Sequence, residues 1–348
     1  MADQETVGKD EGPSHARAKP RVVVTRRLPQ PVEDRMAELF DTSFNAGDRP
    51  MDRDQLAAAM AECHVLVPTV TDIIDADLIN GAGPNLKLIA HYGTGVENVD
   101  VEAASARGIT VTNTPNVLND DTAEMTMALL LSLPRRLVEG ADILKREADA
   151  AWTGWAPTWM LGQRVAGKKI GIIGMGRIGL AVAQRAKAFG MDIHYHNRRR
   201  VAEREEAALG ATFHEDLDRM VSRVDFITIH TPSTIETHHL INNRRLGLMK
   251  PTAYLINAAR GAIVDEQALI RALQENRFAG AALDVFEREP EIDGGLVELA
   301  RQHKLVLLPH MSSATREGRE EMGERVVINI RTHADGHTPP DRVLPRRR

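Results

Sequence analysis

A chain of 348 residues, 43% apolar and 27% charged, has the length and composition of two soluble globular domains. Its net charge of −5 gives no reason to expect nucleic acid or an anionic membrane as partner. No apolar run is long enough to span a bilayer, and the first residues hold no signal-peptide core. The single cysteine, Cys63, excludes an internal disulfide and fits a reducing, cytoplasmic setting; beside Val65-Leu66-Val67 it reads as a buried, inert thiol. Cys and His residues do not cluster at metal-ligand spacing, so no metal is expected.

Residues 1–20 are polar, with Gly12, Pro13 and Pro20, and are expected to form a disordered tail. From Arg21 strands and helices alternate: strand 21–25, helix 32–40 entered through Pro31, helix 56–61, strand 64–68, short helix 76–80, strand 86–90, helix 101–106 and strand 109–112. Such alternation predicts a parallel sheet covered by helices. This unit has no glycine-rich fingerprint, but it sets His91-Tyr92-Gly93-Thr94-Gly95 at the carboxyl end of a strand, where open α/β sheets bind ligands. After a connection at 114–119, Asp120 or Asp121 is placed to cap a long helix, 122–145, which Pro134 should kink or divide. Trp152, Trp155 and Trp159 then fall in one segment. A loop this aromatic is costly to expose and is expected to pack on a partner subunit or on the other domain.

The stretch 169–197 organises the rest. An apolar strand, Ile170-Gly171-Ile172-Ile173, runs straight into Gly174-Met175-Gly176-Arg177-Ile178-Gly179, a helical pattern over 180–189 and a second strand at 191–196. Strand, glycine turn, helix, strand is the setting in which this fingerprint indicates a dinucleotide. Gly174 allows the tight turn, Gly176 lets backbone approach a pyrophosphate, Gly179 lets helix pack on strand, and the helix N-terminus faces the phosphates. An acid at the end of the second strand would favour NAD by bonding the ribose hydroxyls. Asn197 stands there instead, followed by Arg198-Arg199-Arg200, whose forks suit a 2′-phosphate, so NADP is expected as the preferred cofactor with residual use of NAD.

Downstream the pattern continues with helix 203–209, strand 224–230 into Thr231-Pro232, strand 252–257 into Ala258-Ala259-Arg260-Gly261, helix 265–275, strand 280–286, strand 304–308 into Pro309-His310, helix 321–335 and a polar tail at 339–348. Gly174, Asn197, Thr231, Arg260, Asp284 and His310 thus all lie at or just beyond the carboxyl ends of strands, and one sheet would deliver them to one rim. Reducing a 2-keto acid with a nicotinamide requires a cation for the carboxylate and an acid for the carbonyl oxygen. Arg260 supplies a planar donor fork, and His310 is the natural proton donor, since histidine is the side chain suited to proton exchange near neutral pH. A carboxylate beside His310 would hold the ring protonated and oriented; Glu287, Glu289 and Glu291 all qualify on spacing.

Six motifs in this order give the chain a family resemblance: Gly93-Thr94-Gly95-Val96-Glu97-Asn98-Val99-Asp100, Thr114-Pro115-Asn116-Val117-Leu118, the glycine fingerprint, Asn257-Ala258-Ala259-Arg260-Gly261, Leu283-Asp284-Val285-Phe286-Glu287-Arg288-Glu289-Pro290 and Leu308-Pro309-His310-Met311-Ser312-Ser313-Ala314-Thr315. From about residue 21 to 342 the sequence resembles the D-2-hydroxyacid dehydrogenases, and within them the glyoxylate/hydroxypyruvate reductases and glycerate dehydrogenases. The resemblance implies two Rossmann-like, doubly wound parallel-sheet α/β domains. A cofactor domain, 120–308, is inserted into a discontinuous flavodoxin-like substrate domain, 1–119 plus 309–348, and closure of the two excludes water. It implies catalytic Arg260, Glu289 (the glutamate before proline) and His310. It also implies substrate contacts from Arg260 and the Thr94 and Gly95 N–H groups. Cofactor contacts would come from Thr122, Arg177, Ile178 and Thr231, with the Ala258 carbonyl, Asp284 and His310 near the nicotinamide. A homodimer is implied as well. Two departures bear on the substrate: Met311-Ser312-Ser313 where Ile-Gly-Ser is common, and Glu97 where Asp is common. The alternatives are dehydrogenation of another D-2-hydroxy acid and a non-catalytic NAD-binding regulator of the same fold. Oxidation of formate is disfavoured because it goes with glutamine where Glu289 stands.

Overall fold

The computed structural model describes residues 19–145, 152 and 154–345; the expected tail through residue 18 and the last three arginines lie outside the described residues. The chain divides into two compact units. One runs to Pro115 and resumes at Arg319, and the other is Asn116–Gly318.

In the first unit β1 (Arg21–Val24), β2 (Asp41–Phe44), β3 (Val65–Val67), β4 (Leu88–Ala90) and β5 (Thr110–Thr112) lie parallel in the order β5-β4-β3-β1-β2. This is the flavodoxin-like strand order. β3 and β4 are short apolar runs buried at every residue, as parallel strands covered on both faces must be. Cys63 lies in this core, fully buried, and burial pushes its thiol up to about 11, consistent with an inert side chain.

The second unit has seven parallel strands, β6 (Lys169–Ile173), β7 (Asp192–His196), β8 (Thr212–Phe213), β9 (Phe226–Ile229), β10 (Tyr254–Asn257), β11 (Gly280–Leu283) and β12 (Leu305–Leu307), in the order β8-β7-β6-β9-β10-β11-β12. This is the dinucleotide-binding order extended by one strand, and it reverses between β6 and β9, where such sheets open a crevice. Alternate residues of the central strands feed two cores: Ile227, Leu255 and Leu283 on one face, Ile172, Ile256 and Ala282 on the other. The helix Arg177–Ala188 buries Gly179, Val182, Ala183 and Ala186, the three- and four-residue spacing legible in the sequence.

Pro134 divides the expected long helix, as its place in the pattern implied, and several other elements differ from expectation. The long helix is two, Asn119–Ser132 and Leu137–Lys145, divided around Pro134, with Arg136 at φ +54°. Neither Asp120 nor Asp121 caps it. Leu118 is the N-cap, while Asp120 pairs with Arg185 and Asp121 accepts from the Thr315 hydroxyl. β2 passes unseen in the sequence because Asp41-Thr42-Ser43-Phe44 has no apolar run; it forms along the open edge of β1. The polar tail supplies a last strand, β13 (Arg342–Val343), antiparallel to β5. The expected strand 280–286 stops at Leu283, where Asp284 begins the turn described below. Among the described residues no helix is long and apolar enough to cross a membrane, and no three His, Cys, Asp or Glu side chains are grouped to hold a metal ion.

Candidate active site

The glycine turn after β6 shows three different demands. Gly174 has φ +93°, and a Cβ there would stand 2.7 Å from the His230 carbonyl and from Thr231 Cγ2, so only glycine makes the turn. At Gly179 a Cβ would stand 2.4 Å from the Gly174 carbonyl oxygen. At Gly176 it would meet nothing within 4 Å. Gly176 is the N-cap of a 12-residue helix that no side chain caps, so the first-turn N–H groups around Arg177 and Ile178 face an open approach. Beside this turn the buried Thr231 hydroxyl has no hydrogen-bond partner among the described residues. An open glycine, an uncapped helix N-terminus and an unpartnered hydroxyl at the β6/β9 reversal fit a dinucleotide. Thr122, buried near the start of the helix Asn119–Ser132, accepts at its carbonyl from the Thr126 hydroxyl at 2.7 Å.

At the end of β7, Asn197 Oδ1 accepts from the Met175 N–H at 2.6 Å and so braces the glycine turn. The three arginines that follow are not equivalent. Arg200 Nε and Nη2 each donate to Glu206 at 2.6 Å, and the guanidinium lies 5.8 Å from the Phe213 ring centre. The Tyr195 hydroxyl donates to the same carboxylate; Arg200 and then Tyr195 hold Glu206 below the usual carboxylate range. Arg200 is therefore a structural residue of the loop, and Arg198 and Arg199 are left as its solvent-facing cations.

β10 ends in Asn257, 1% exposed, whose Oδ1 accepts from the Ala259 N–H (3.1 Å) and whose Nδ2 donates to the Arg260 carbonyl (2.9 Å). This side chain closes the Ala258-Ala259-Arg260 loop. Gly261 lets the loop lie against the chain after β11, since a Cβ there would stand 1.9 Å from the Phe286 carbonyl carbon. Arg260 Nη1 donates to the Ala259 carbonyl at 2.7 Å, which fixes the plane of its fork.

Of the three candidate glutamates, Glu289 faces His310. Its Oε2 accepts from His310 Nδ1 at 2.6 Å, and its Oε1 accepts from the Phe286 N–H at 2.8 Å. Glu287 pairs with His239 instead, and Glu291 is exposed. Burial pushes the Glu289 carboxyl up, but His310, the Phe286 N–H and the charge of Arg260 outweigh it and hold the group below the usual carboxylate range. With Nδ1 taken by Glu289, Nε2 is the nitrogen available for proton exchange.

Asp284, just after β11, bonds the turn that carries His310. It is 0% exposed, Oδ1 accepts from the Met311 N–H at 2.8 Å, and Oδ2 accepts from the Ser312 N–H at 2.8 Å and the Ser312 hydroxyl at 2.5 Å. Each oxygen thus accepts from the turn that carries His310, and one of the carboxylate's about four acceptor sites is left.

In the first unit the chain leaves β4 through the buried His91, whose imidazole burial pushes down. A Cβ on Gly93 would stand 2.5 Å from His91 Cε1. The loop is pinned by Thr94 Oγ1 donating to the Thr114 carbonyl (3.1 Å), Asn113 Nδ2 to the Thr94 carbonyl (2.6 Å) and the Thr114 N–H to the Gly93 carbonyl (3.0 Å). The Thr94 and Gly95 N–H groups donate to no acceptor among the described residues.

Residues 127–312 match the family model for the NAD binding domain of D-isomer specific 2-hydroxyacid dehydrogenases. The chain belongs to that family. The glyoxylate reductase of Thermococcus litoralis is 44% identical over 327 residues, 93% of this chain and 97% of its own. That of Pyrococcus furiosus is 42% identical over 326 residues, 93% of this chain and 95% of its own. Among solved structures, the TT0316 protein of Thermus thermophilus has a TM-score of 0.85 at 41% identity, covering 93% of this chain and 100% of that one. An NADPH-dependent glyoxylate/hydroxypyruvate reductase from Sinorhizobium meliloti, in complex with NADP and malonate, has a TM-score of 0.80 at 33% identity, covering 95% and 100%.

In this dehydrogenase Gly174, Asn197, Thr231, Arg260, Asp284 and His310 follow β6, β7, β9, β10, β11 and β12, one to a strand, while Thr94 and Gly95 belong to the other unit. Sequence reasoning missed Asn257 and Ser312 as parts of the site. A polar amide closing a wholly apolar strand was the available signal for Asn257. Ser312 is visible in the sequence only as a departure from the family pattern.

Proposed function

We propose that the chain is a glyoxylate reductase that also accepts hydroxypyruvate, yielding glycolate and D-glycerate. The observation that carries this reading is the 2.6 Å Glu289–His310 pair beside the Arg260 loop, on a strand-end rim next to the glycine turn. The identity with glyoxylate reductases over most of the chain supports the substrate. Arg260 holds the substrate carboxylate in its fork. The Thr94 and Gly95 N–H groups are assigned to the same carboxylate. Glu289 fixes the ring of His310, whose Nε2 gives a proton to the carbonyl oxygen as the carbonyl carbon becomes a 2-hydroxy centre. When bound, the reduced nicotinamide supplies the hydride that reaches that carbon and leaves as the oxidised cofactor. In the reverse direction His310 takes the proton back.

The unit Asn116–Gly318 is assigned to the cofactor and the discontinuous unit to the substrate loop. NADPH is the preferred cofactor, because Asn197 is neutral and Arg198 and Arg199 stand exposed after β7, and NADH is used less well. Asn197 holds the Met175 N–H with Oδ1 and reaches the Met175 carbonyl with Nδ2 at 3.4 Å, which leaves its second N–H for a ribose hydroxyl. Trp152, Trp155 and Trp159 are 59%, 84% and 42% exposed, which leaves much aromatic surface uncovered; we assign them to the interface of a homodimer. The single, buried cysteine supports a cytoplasmic setting. A screen of small 2-keto acids with both cofactors tests the assignment. Turnover of glyoxylate and hydroxypyruvate with NADPH is expected, and absence of turnover with either would overturn it.

A further inference from the structure

His310 is one of the few non-glycine residues here with a left-handed backbone, φ +52°. An L-residue holds that conformation only where its surroundings fix it. One buried aspartate, through its carbonyl and its side chain, holds the backbone there. The chain leaves β11 at Leu283, and the Asp284 carbonyl accepts from the His310 N–H at 2.8 Å. The Asp284 side chain then binds the next two N–H groups, Met311 and Ser312, at 2.8 Å each, and the Ser312 hydroxyl at 2.5 Å. Asp284 is 0% exposed and Ser312 6% exposed, so water does not replace these bonds. Three consecutive residues, beginning with the histidine, are therefore tied to one aspartate.

We propose that Asp284 and Ser312 form a clamp that holds His310 in its left-handed conformation, keeping Nδ1 on Glu289 and Nε2 aimed at the substrate carbonyl. They are positioning residues that act through His310. The inference rests on the reading of His310 as proton donor. The chemistry of the carboxylate supports it: an ionised carboxylate has about four acceptor sites, and three are filled from the 311–312 segment. An asparagine at 284 would present its NH2 group to one of two backbone N–H donors, donor against donor, and the turn would have to shift. Alanine at 312 removes one donor and leaves both N–H bonds in place.

The test compares Ser312→Ala, Ser312→Thr, Asp284→Asn and His310→Gln with the wild type. NADPH affinity is read from fluorescence titration, kcat and KM are measured with glyoxylate, and amide hydrogen exchange is followed at residues 310–312. A displaced proton donor lowers kcat and leaves ground-state carboxylate binding intact. Ser312→Ala should lose roughly three- to tenfold in kcat, as befits one hydrogen bond, with KM and NADPH Kd within about twofold. Asp284→Asn should lose on the order of 10²-fold in kcat with KM within about twofold, as a misplaced group does. Exchange at Met311 and Ser312 should quicken in both, and Ser312→Thr, which keeps the hydroxyl, should restore most of the kcat lost in Ser312→Ala. If Asp284→Asn does not fold, the serine pair decides alone. Unchanged kcat in Ser312→Ala, or a fall in that variant's NADPH affinity that parallels its fall in kcat, would overturn the clamp. Retained turnover in His310→Gln would instead overturn the donor reading on which it rests.

Discussion

Replacing Arg260 by lysine keeps the positive charge and removes the fork. Arg260 Nη1 is bonded to the Ala259 carbonyl at 2.7 Å, and Asn257 ties down the loop through Ala259 and the Arg260 carbonyl, so the guanidinium plane is set by the protein before substrate arrives. Lysine reproduces neither the internal bond nor a two-point grip on a carboxylate. Losing one charged hydrogen bond costs about 1.5–3 kcal/mol, which corresponds to a loss of about 10- to 150-fold in kcat/KM. The glycine turn assigned to the cofactor lies between β6 and the helix after it, so NADPH affinity should stay within about twofold of wild type, because that turn is untouched. Steady-state kinetics with glyoxylate and hydroxypyruvate, together with a fluorescence titration of NADPH, measure both quantities. A near-normal kcat/KM, or a loss of NADPH affinity as large as the loss of kcat/KM, would refute the assignment of Arg260 to the substrate carboxylate.

The glycines separate fold from binding. Gly179→Ala, 2.4 Å from a carbonyl oxygen, should cost roughly 1–3 kcal/mol and lower Tm by several degrees. Gly176→Ala, with nothing within 4 Å, should leave Tm unchanged yet weaken NADPH about tenfold, since its methyl enters the phosphate approach; equal Tm losses in the two would contradict this. In the wild type the lowered Glu289 carboxyl keeps its charge at pH values where an ordinary carboxylate protonates, and the stability it contributes is lost only as pH falls through that lowered value. His310→Gln removes the partner that opposes burial most strongly, so Glu289 should titrate at higher pH in that variant by 13C NMR of labelled glutamate; an unmoved or lower titration would count against the pairing. Asn197→Asp retains an acceptor for the Met175 N–H and adds a charge where a 2′-phosphate would sit, so the ratio of kcat/KM for NADPH over NADH should fall by about tenfold; no change in the ratio would clear Asn197 of that role.

The parts of this fold that the sequence makes legible are those in which a physical periodicity spans enough residues. The apolar runs of β3, β4, β6, β9 and β10 and the spaced apolar face of the helix Arg177–Ala188 announce themselves. β2, β8 and β13 do not, because two to four residues at a sheet edge need no apolar pattern; their backbone pairs with a neighbour whatever the side chains are. Strand ends told more than strand interiors: Arg260 and His310 stand out as polar residues directly after apolar runs. What spacing could not decide was pairing. Glu287, Glu289 and Glu291 are interchangeable along the chain. Only the path of the loop turns Glu289 to His310 and Glu287 to His239. Arg200 looked like its two neighbours until the fold brought Glu206 and Tyr195 against it. Asp284 followed the same course: a strand-end carboxylate reads as a ligand-binding group, and its commitment to Met311 and Ser312 depends on a turn 27 and 28 residues away.

The central claim is hydride transfer to a carbonyl carbon with proton transfer to its oxygen; isotopic labelling tests the first and a His310 variant the second. The protein is incubated with glyoxylate and NADPH deuterated at the nicotinamide C4, once with each of the two stereospecific labels, and the product is read by mass spectrometry and NMR. One of the two labels should yield glycolate with a single deuterium at C2 and the other none, and His310→Gln should slow the transfer on the order of 10²-fold or more. Glycolate without deuterium from either label, or no glycolate at all, would contradict the account.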